Sequence, residues 1–120
     1  MFLNIDKKKS NSLALVDNEG NRITYGSLAK LMEAIGVQVE SRSLIFNLCK
    51  NTAGSMIGYL GFIECGAVPV TLSAKIDDSL LKKLLEIYTP AYIWTPVEEE
   101  SRFDYEKIYE CYGYVLLKTR

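Results

Sequence analysis

Histidine is absent from the 120 residues. Its absence removes the commonest general base, the commonest metal ligand and every Ser/His or Cys/His nucleophilic pair. Cysteine is sparse: the 3 in the chain, Cys49, Cys65 and Cys111, are far apart, odd in number and form no CxxC pair, so a zinc site is not expected. Such usage fits reduced, mostly buried thiols in a cytoplasmic protein. Neither sign of charge dominates: 14 Lys+Arg against 15 Asp+Glu leave a net charge of −1, with no basic stripe to suggest a nucleic-acid partner. The one basic run, Lys7-Lys8-Lys9, reads as a solvated terminus. The opening "MFLNIDKKKS" places its charges after a short apolar piece, the reverse of a secretory signal. An apolar run long enough to span a membrane is also missing. Between Lys50 and Lys75 the single charge is Glu64, but it sits mid-segment, Pro69 follows and the second half reads as strand, so the stretch reads as core.

With 48% hydrophobic residues, the chain has the composition of one soluble globular domain with one modest core. "LALVDNEGNRITY" (residues 13–25) reads as two short strands around a turn supplied by Asp17, Asn18, Glu19, Gly20 and Asn21. Thr24 then suits a helix N-cap, Leu28, Leu31 and Ile35 form one apolar face, and Gly36 suits a stop. "SLIFNLCKN" (residues 43–51) is nearly continuous in apolar residues, as in a strand buried on both faces. Asn51 can cap the helix that runs to about Cys65, "AVPVTL" (residues 67–72) is a second strand, and Asp77 or Asp78 can cap a helix carrying Leu80, Leu81, Leu84, Leu85 and Tyr88. Pro90 ends that helix, and "AYIWT" (residues 91–95) is a third strand. Residues 98–111 are charged and read as helical, and "YGYVLLKT" (residues 112–119) reads as a last strand. Strands recurring every two dozen residues or so with helices between them predict an α/β fold. It has a βαβαβ parallel sheet, helices on both faces and a short β-hairpin before it.

Gly54, Gly58, Gly61 and Gly66 crowd one short stretch. Neither G-x-G-x-x-G nor G-x-x-x-x-G-K-[ST] occurs there. Gly54, Gly58 and Gly61 lie four and three residues apart, which puts them on one helix face. The spacing predicts a smooth packing stripe, not a phosphate cradle, and a large residue at Gly58 is expected to clash. Gly66 falls in the turn before the next strand.

Other chemistry-bearing residues have plainer roles. Asp77 and Asp78 read as helix caps before an acidic catalytic pair. Glu98, Glu99 and Glu100 read as a solvated helix start favoured by its dipole. Tyr92 and Trp94 alternate with Ile93 on a strand and read as core, although one of them suits a ligand groove. Cys49 precedes a helix N-terminus, where a thiol can acidify, and reads as a structural thiol. Ser10, Ser12, Ser41 and Ser43 have no base partner. No catalytic, cofactor-binding or metal-binding residue is assigned to the chain.

In this order the motifs resemble the N-terminal part of adenylate-forming enzymes, the AMP-dependent acyl-CoA synthetases and ligases. "ITYGSLAKL" (residues 23–31) resembles their "lTYxeL" motif. The next segment, residues 43–72, is similar through Asn51, Gly61, Gly66, Ala67, Val68, Pro69 and Val70 to a strand, an Asn, a small-residue helix and "aGavpvpl". "LLKKLLEIYTPAYIWT" (residues 80–95) resembles the unit that follows. Ser27 replaces a frequent Glu, and Glu40-Ser41-Arg42 stands where many members have Gly-Asp, which points to a divergent branch. The resemblance implies a parent enzyme that joins a carboxylic acid to AMP using ATP and magnesium, then passes the acyl group to a thiol such as coenzyme A or a carrier-protein arm. The family's phosphate loop, adenine segment, hinge and catalytic lysine come later in its pattern. "YGYVLLKTR" (residues 112–120) resembles the region just ahead of the phosphate loop.

On this reading, residues 1–12 are an N-terminal extension and residues 13–120 an α/β subdomain truncated before that loop. The chain alone is expected to be inactive, with no cofactor of its own. Its partners are the rest of the parent enzyme and, through exposed apolar surface, a second copy. A free-standing doubly wound binding or interaction module is the alternative. A phosphoacceptor signalling domain ranks lowest, because "NLCKN" and "IWTPV" offer no acidic site at the strand ends.

Overall fold

In a computed structural model, the structure describes residues 13–16, 20 and 22–119. The chain order is β1 (Leu13–Val16), β2 (Arg22–Thr24), α1 (Tyr25–Gly36), β3 (Leu44–Cys49), α2 (Ala53–Glu64), β4 (Val68–Ser73), α3 (Asp78–Tyr88), β5 (Tyr92–Pro96), a 3-10 helix (Val97–Arg102), β6 (Glu106–Cys111) and β7 (Tyr114–Lys118). β1 and β2 pair antiparallel as a sheet of their own. Four of the five turn residues between them (17–19 and 21), the Lys7-Lys8-Lys9 run, Ser10 and Ser12 lie outside the described residues, and Gly20 has a positive φ of 84°.

Local chemistry sets the helix limits. The Thr24 hydroxyl accepts the Ser27 N–H at 3.2 Å and opens α1, and the Asp77 carboxylate accepts the Leu80 N–H at 3.2 Å and opens α3. α3 ends at Tyr88 with Thr89 in a left-handed conformation (φ 41°) ahead of Pro90. Asn51 is not the cap of α2: that position falls to Thr52, whose side chain makes no capping bond.

The main sheet has the order β4-β3-β5-β7-β6. β3 pairs parallel with β4 and with β5, as the βαβαβ spacing predicts. β7 instead runs antiparallel to β5, and β6 antiparallel to β7. Residues 98–111 are therefore not a helix. They form the short 3-10 helix and then β6, which returns through Tyr112 (φ 49°) and Gly113 (φ 75°) into β7. Two positive φ values in a two-residue loop make the turn whose twist matches paired strands. The charges misled because Glu106, Lys107 and Glu110 sit on an edge strand, where charge is also expected.

The sheet separates two apolar clusters. On one face Ile45 and Trp94 pack with Ile57 and Phe62 of α2 and with Leu28, Met32 and Ile35 of α1. On the other, Phe46, Leu48 and Ile93 pack with Leu81 and Leu84 of α3. Helices thus cover both faces. Among the described residues no helix is long and apolar enough to cross a membrane.

Candidate functional site

In an open parallel sheet, ligands enter outside the carboxyl ends of the strands, where the winding reverses. Here α2 leads from β3 to β4 on one side, and the chain then crosses to β5 on the other side of β3. The corresponding crevice lies between Lys50 to Thr52 after β3 and Val97 and Glu98 after β5. Its chemistry is occupied internally. The Lys50 ammonium pairs with the Glu98 carboxylate, and this hydrogen bond holds Glu98 below the usual carboxylate range. The Lys50 backbone N–H donates to the Tyr114 hydroxyl at 3.2 Å, and that hydroxyl donates to the Leu48 carbonyl at 2.7 Å. Tyr114 is buried, stacked on Trp94 with ring centroids 5.2 Å apart. Burial pushes its phenol up to about 12 against hydrogen bonding from Ser55 and Lys50, and the Thr52 hydroxyl lies beside it without completing a bond.

Outside β4 and β5, Arg102 makes a second closed network. Its Nε donates to Asp78 at 2.9 Å and Nη1 donates to the Ala74 carbonyl at 3.1 Å and to Glu99 at 3.0 Å. Nη2 donates to the Ile76 carbonyl. A shallow depression of about 390 Å³ beside it is lined by Lys75, Ile76, Asp77, Asp78, Glu99 and Arg102. Asp78 and Glu99 are ion-pair partners of one arginine, which ties the loop after β4 to the segment after β5. No group of three or more Cys, Asp or Glu able to hold a metal exists among the described residues.

Glycine placement decides whether α2 can cradle phosphate. A Cβ on Gly54 would stand 2.5 Å from the Tyr112 carbonyl oxygen and 2.7 Å from Tyr114 Cδ1. On Gly58 it would stand 2.6 Å from Trp94 Cε2 and closer still to Nε1. At Gly61 it would meet the Met32 carbonyl at 3.3 Å and Ile35 at 3.4 Å. The stripe is thus filled by the hairpin turn, by Trp94 and by α1, and Trp94 Nε1 donates to the Gly54 carbonyl at 3.0 Å. Gly66 (φ 86°) makes the turn into β4. The glycine face does not fit a nucleotide phosphate.

Tyr92 and Trp94 are both buried, so neither lines a groove. Cys49 donates its S–H to the Asn47 carbonyl at 3.3 Å. Cys111 is part-buried, which pushes its thiol up to about 11. Sequence reasoning missed Tyr114 and Arg102 as joints of the fold. The "YG" before Tyr114 carried a hairpin signal; Arg102 carried none, since Asp78 and the Ala74 and Ile76 carbonyls lie more than twenty residues away in sequence and reach it only through the fold.

No family profile matches the chain, and no curated protein matches it. Solved structures do. The luciferase-like enzyme of the nonluminescent mealworm Zophobas morio superposes with a TM-score of 0.72 at 18% identity, over 84% of this chain and 26% of that one. ATP-bound MatB from Rhodopseudomonas palustris gives 0.65 at 15% identity, over 75% and 19%. The Klebsiella oxytoca NpsA N-terminal subdomain in complex with anthranilyl-AMSN gives 0.64 at 18% identity, over 77% and 25%. The fold is that of these solved chains, the last of which is itself an N-terminal subdomain. The chain spans about a quarter or less of the length of these solved chains.

Proposed function

We propose that the chain is the opening α/β part of an AMP-forming ligase, a scaffold that carries neither the nucleotide site nor the catalytic groups. The observation that carries this reading is agreement between the ordered motifs of residues 23–95 and the backbone match to solved adenylate-forming enzymes at only 15–18% identity. The parent takes a carboxylic acid, ATP and magnesium, forms the acyl-adenylate and releases pyrophosphate. It then loads a thiol, that of coenzyme A or of a carrier-protein arm, in the cytoplasm. ATP and magnesium belong to segments other than these residues, as the filled glycine face supports. Exposed apolar side chains, Val68 and Ile87 among them, support self-association of the chain on its own.

The test is ATP–pyrophosphate exchange, measured on the full gene product with a panel of carboxylic acids and on residues 1–120 alone. Exchange by the full product and none by the 120 residues is the expected pair of results. Exchange by the 120 residues alone overturns the scaffold reading. A full product that exchanges with no acid, while residues 1–120 still fold and bind another molecule, favours a free-standing binding module.

A further inference from the structure

The two edges of the main sheet are built differently. β6 carries Glu106, Lys107 and Glu110 and a register shift between Lys107 and Tyr109. Charges and bulges of this kind stop an edge from recruiting another strand. β4, "VPVTLS", has no charged residue and pairs with β3 in unbroken register. Val68 on this edge is 50% exposed.

Backbone parity shows what the β4 edge offers. The Val68 N–H donates to the Ser43 carbonyl and the Ala74 N–H to the Cys49 carbonyl. In a strand alternate residues bond to the same side, so Val68, Val70 and Leu72 serve β3, while Pro69, Thr71 and Ser73 face outward. Pro69 has no N–H to give. The Ser73 carbonyl already accepts the Ile76 N–H. Among the described residues, what remains outward without a partner is two donors, the Thr71 and Ser73 N–H groups, and two acceptors, the Pro69 and Thr71 carbonyls.

That set is self-complementary. We propose that the outer edge of β4 pairs antiparallel with the same edge of a second copy of this chain, about a two-fold axis at Thr71. In this register the two Thr71 residues exchange N–H···O bonds, and each Ser73 N–H meets a Pro69 carbonyl, about four bonds in all. Every free group is used, and the donor that Pro69 lacks faces the Ser73 carbonyl, which is already engaged. A shift toward Pro69 strands the Ser73 N–H; a shift toward Ser73 brings in its occupied carbonyl. The edge is uncharged, so two copies meet without like-charge repulsion, and the contact is isologous, closing as a dimer.

Sedimentation equilibrium of the chain over a wide concentration range tests this. The parent chain is expected to approach twice the monomer mass. Thr71→Pro removes one outward N–H and leaves the β3 bonds in place; Thr71→Lys sets like charges against each other on the axis. Each is expected to weaken association about tenfold or more with an unchanged melting temperature at concentrations low enough that the parent too is monomeric. The Thr71 and Ser73 amides of the parent are expected to exchange more slowly as its concentration rises. Should Thr71→Pro fail to fold, Thr71→Lys decides. A parent that stays monomeric throughout, or folded variants that dimerise like the parent, overturns the proposal.

Discussion

Replacing Gly58 with alanine is expected to destabilise the protein by about 2 kcal/mol or more, and replacing it with leucine by still more. Helix propensity alone predicts the opposite sign, since alanine is about 1 kcal/mol better than glycine inside a helix. Contact reverses it. A Cβ at Gly58 enters the Trp94 indole, 2.6 Å from Cε2. That ring is fully buried, stacked on Tyr114, edge-on to Phe62 at 5.9 Å and bonded through Nε1 to the Gly54 carbonyl. Neither the ring nor α2 has room to yield without breaking this set. Equilibrium denaturation of the parent, Gly58→Ala and Gly58→Leu measures the cost. Equal or higher stability of Gly58→Ala would show that α2 does not sit on the sheet as described.

Tyr114→Phe is expected to lower stability near neutral pH by about 1–3 kcal/mol. It leaves the Leu48 carbonyl without its donor and the Lys50 N–H without its acceptor, where β3 turns into α2. The same change alters alkaline behaviour. Burial raises the phenol from 10.0 to about 12, so the folded state holds this proton where the unfolded chain has lost it. The stability it contributes is complete below about pH 10 and is lost as pH rises toward 12. Cys111, raised from 9.0 to about 11, adds a loss of the same sign at lower pH. Melting temperature against pH is expected to fall in the parent from about 9 upward, whereas Tyr114→Phe lacks the part of that fall between about 10 and 12. A variant with the parental alkaline profile would show that the phenol is not held as described.

The parallel half of the sheet was legible because its signals are local and repeat. Thr24 and Asp77 cap the helices they precede, Pro90 follows the end of α3, and continuous apolar strands alternate with amphipathic helices. The glycine stripe was legible as a face but not in its partners, since Tyr112 and Trp94 lie some 40 to 60 residues away. The stretch 98–111 was misread because Glu and Lys density suits an exposed helix as well as an edge strand, and only pairing with β7 separates the two. Asn51 and Thr52 compete for one cap position, and it falls to Thr52, whose backbone is extended there and whose side chain makes no capping bond. The interior of the crevice stayed hidden for the same reason: Lys50, Glu98 and Tyr114 meet only once three strands are assembled.

The glycine face of α2 packs against Trp94, the hairpin turn and α1, which leaves it no room for phosphate. Titrating the chain with ATP and magnesium while following the backbone amide resonances of Gly54, Gly58 and Gly61 tests it most directly. No saturable shift at these three residues is the predicted result. Saturable shifts centred on them, lost when the ATP is chased away, would contradict it.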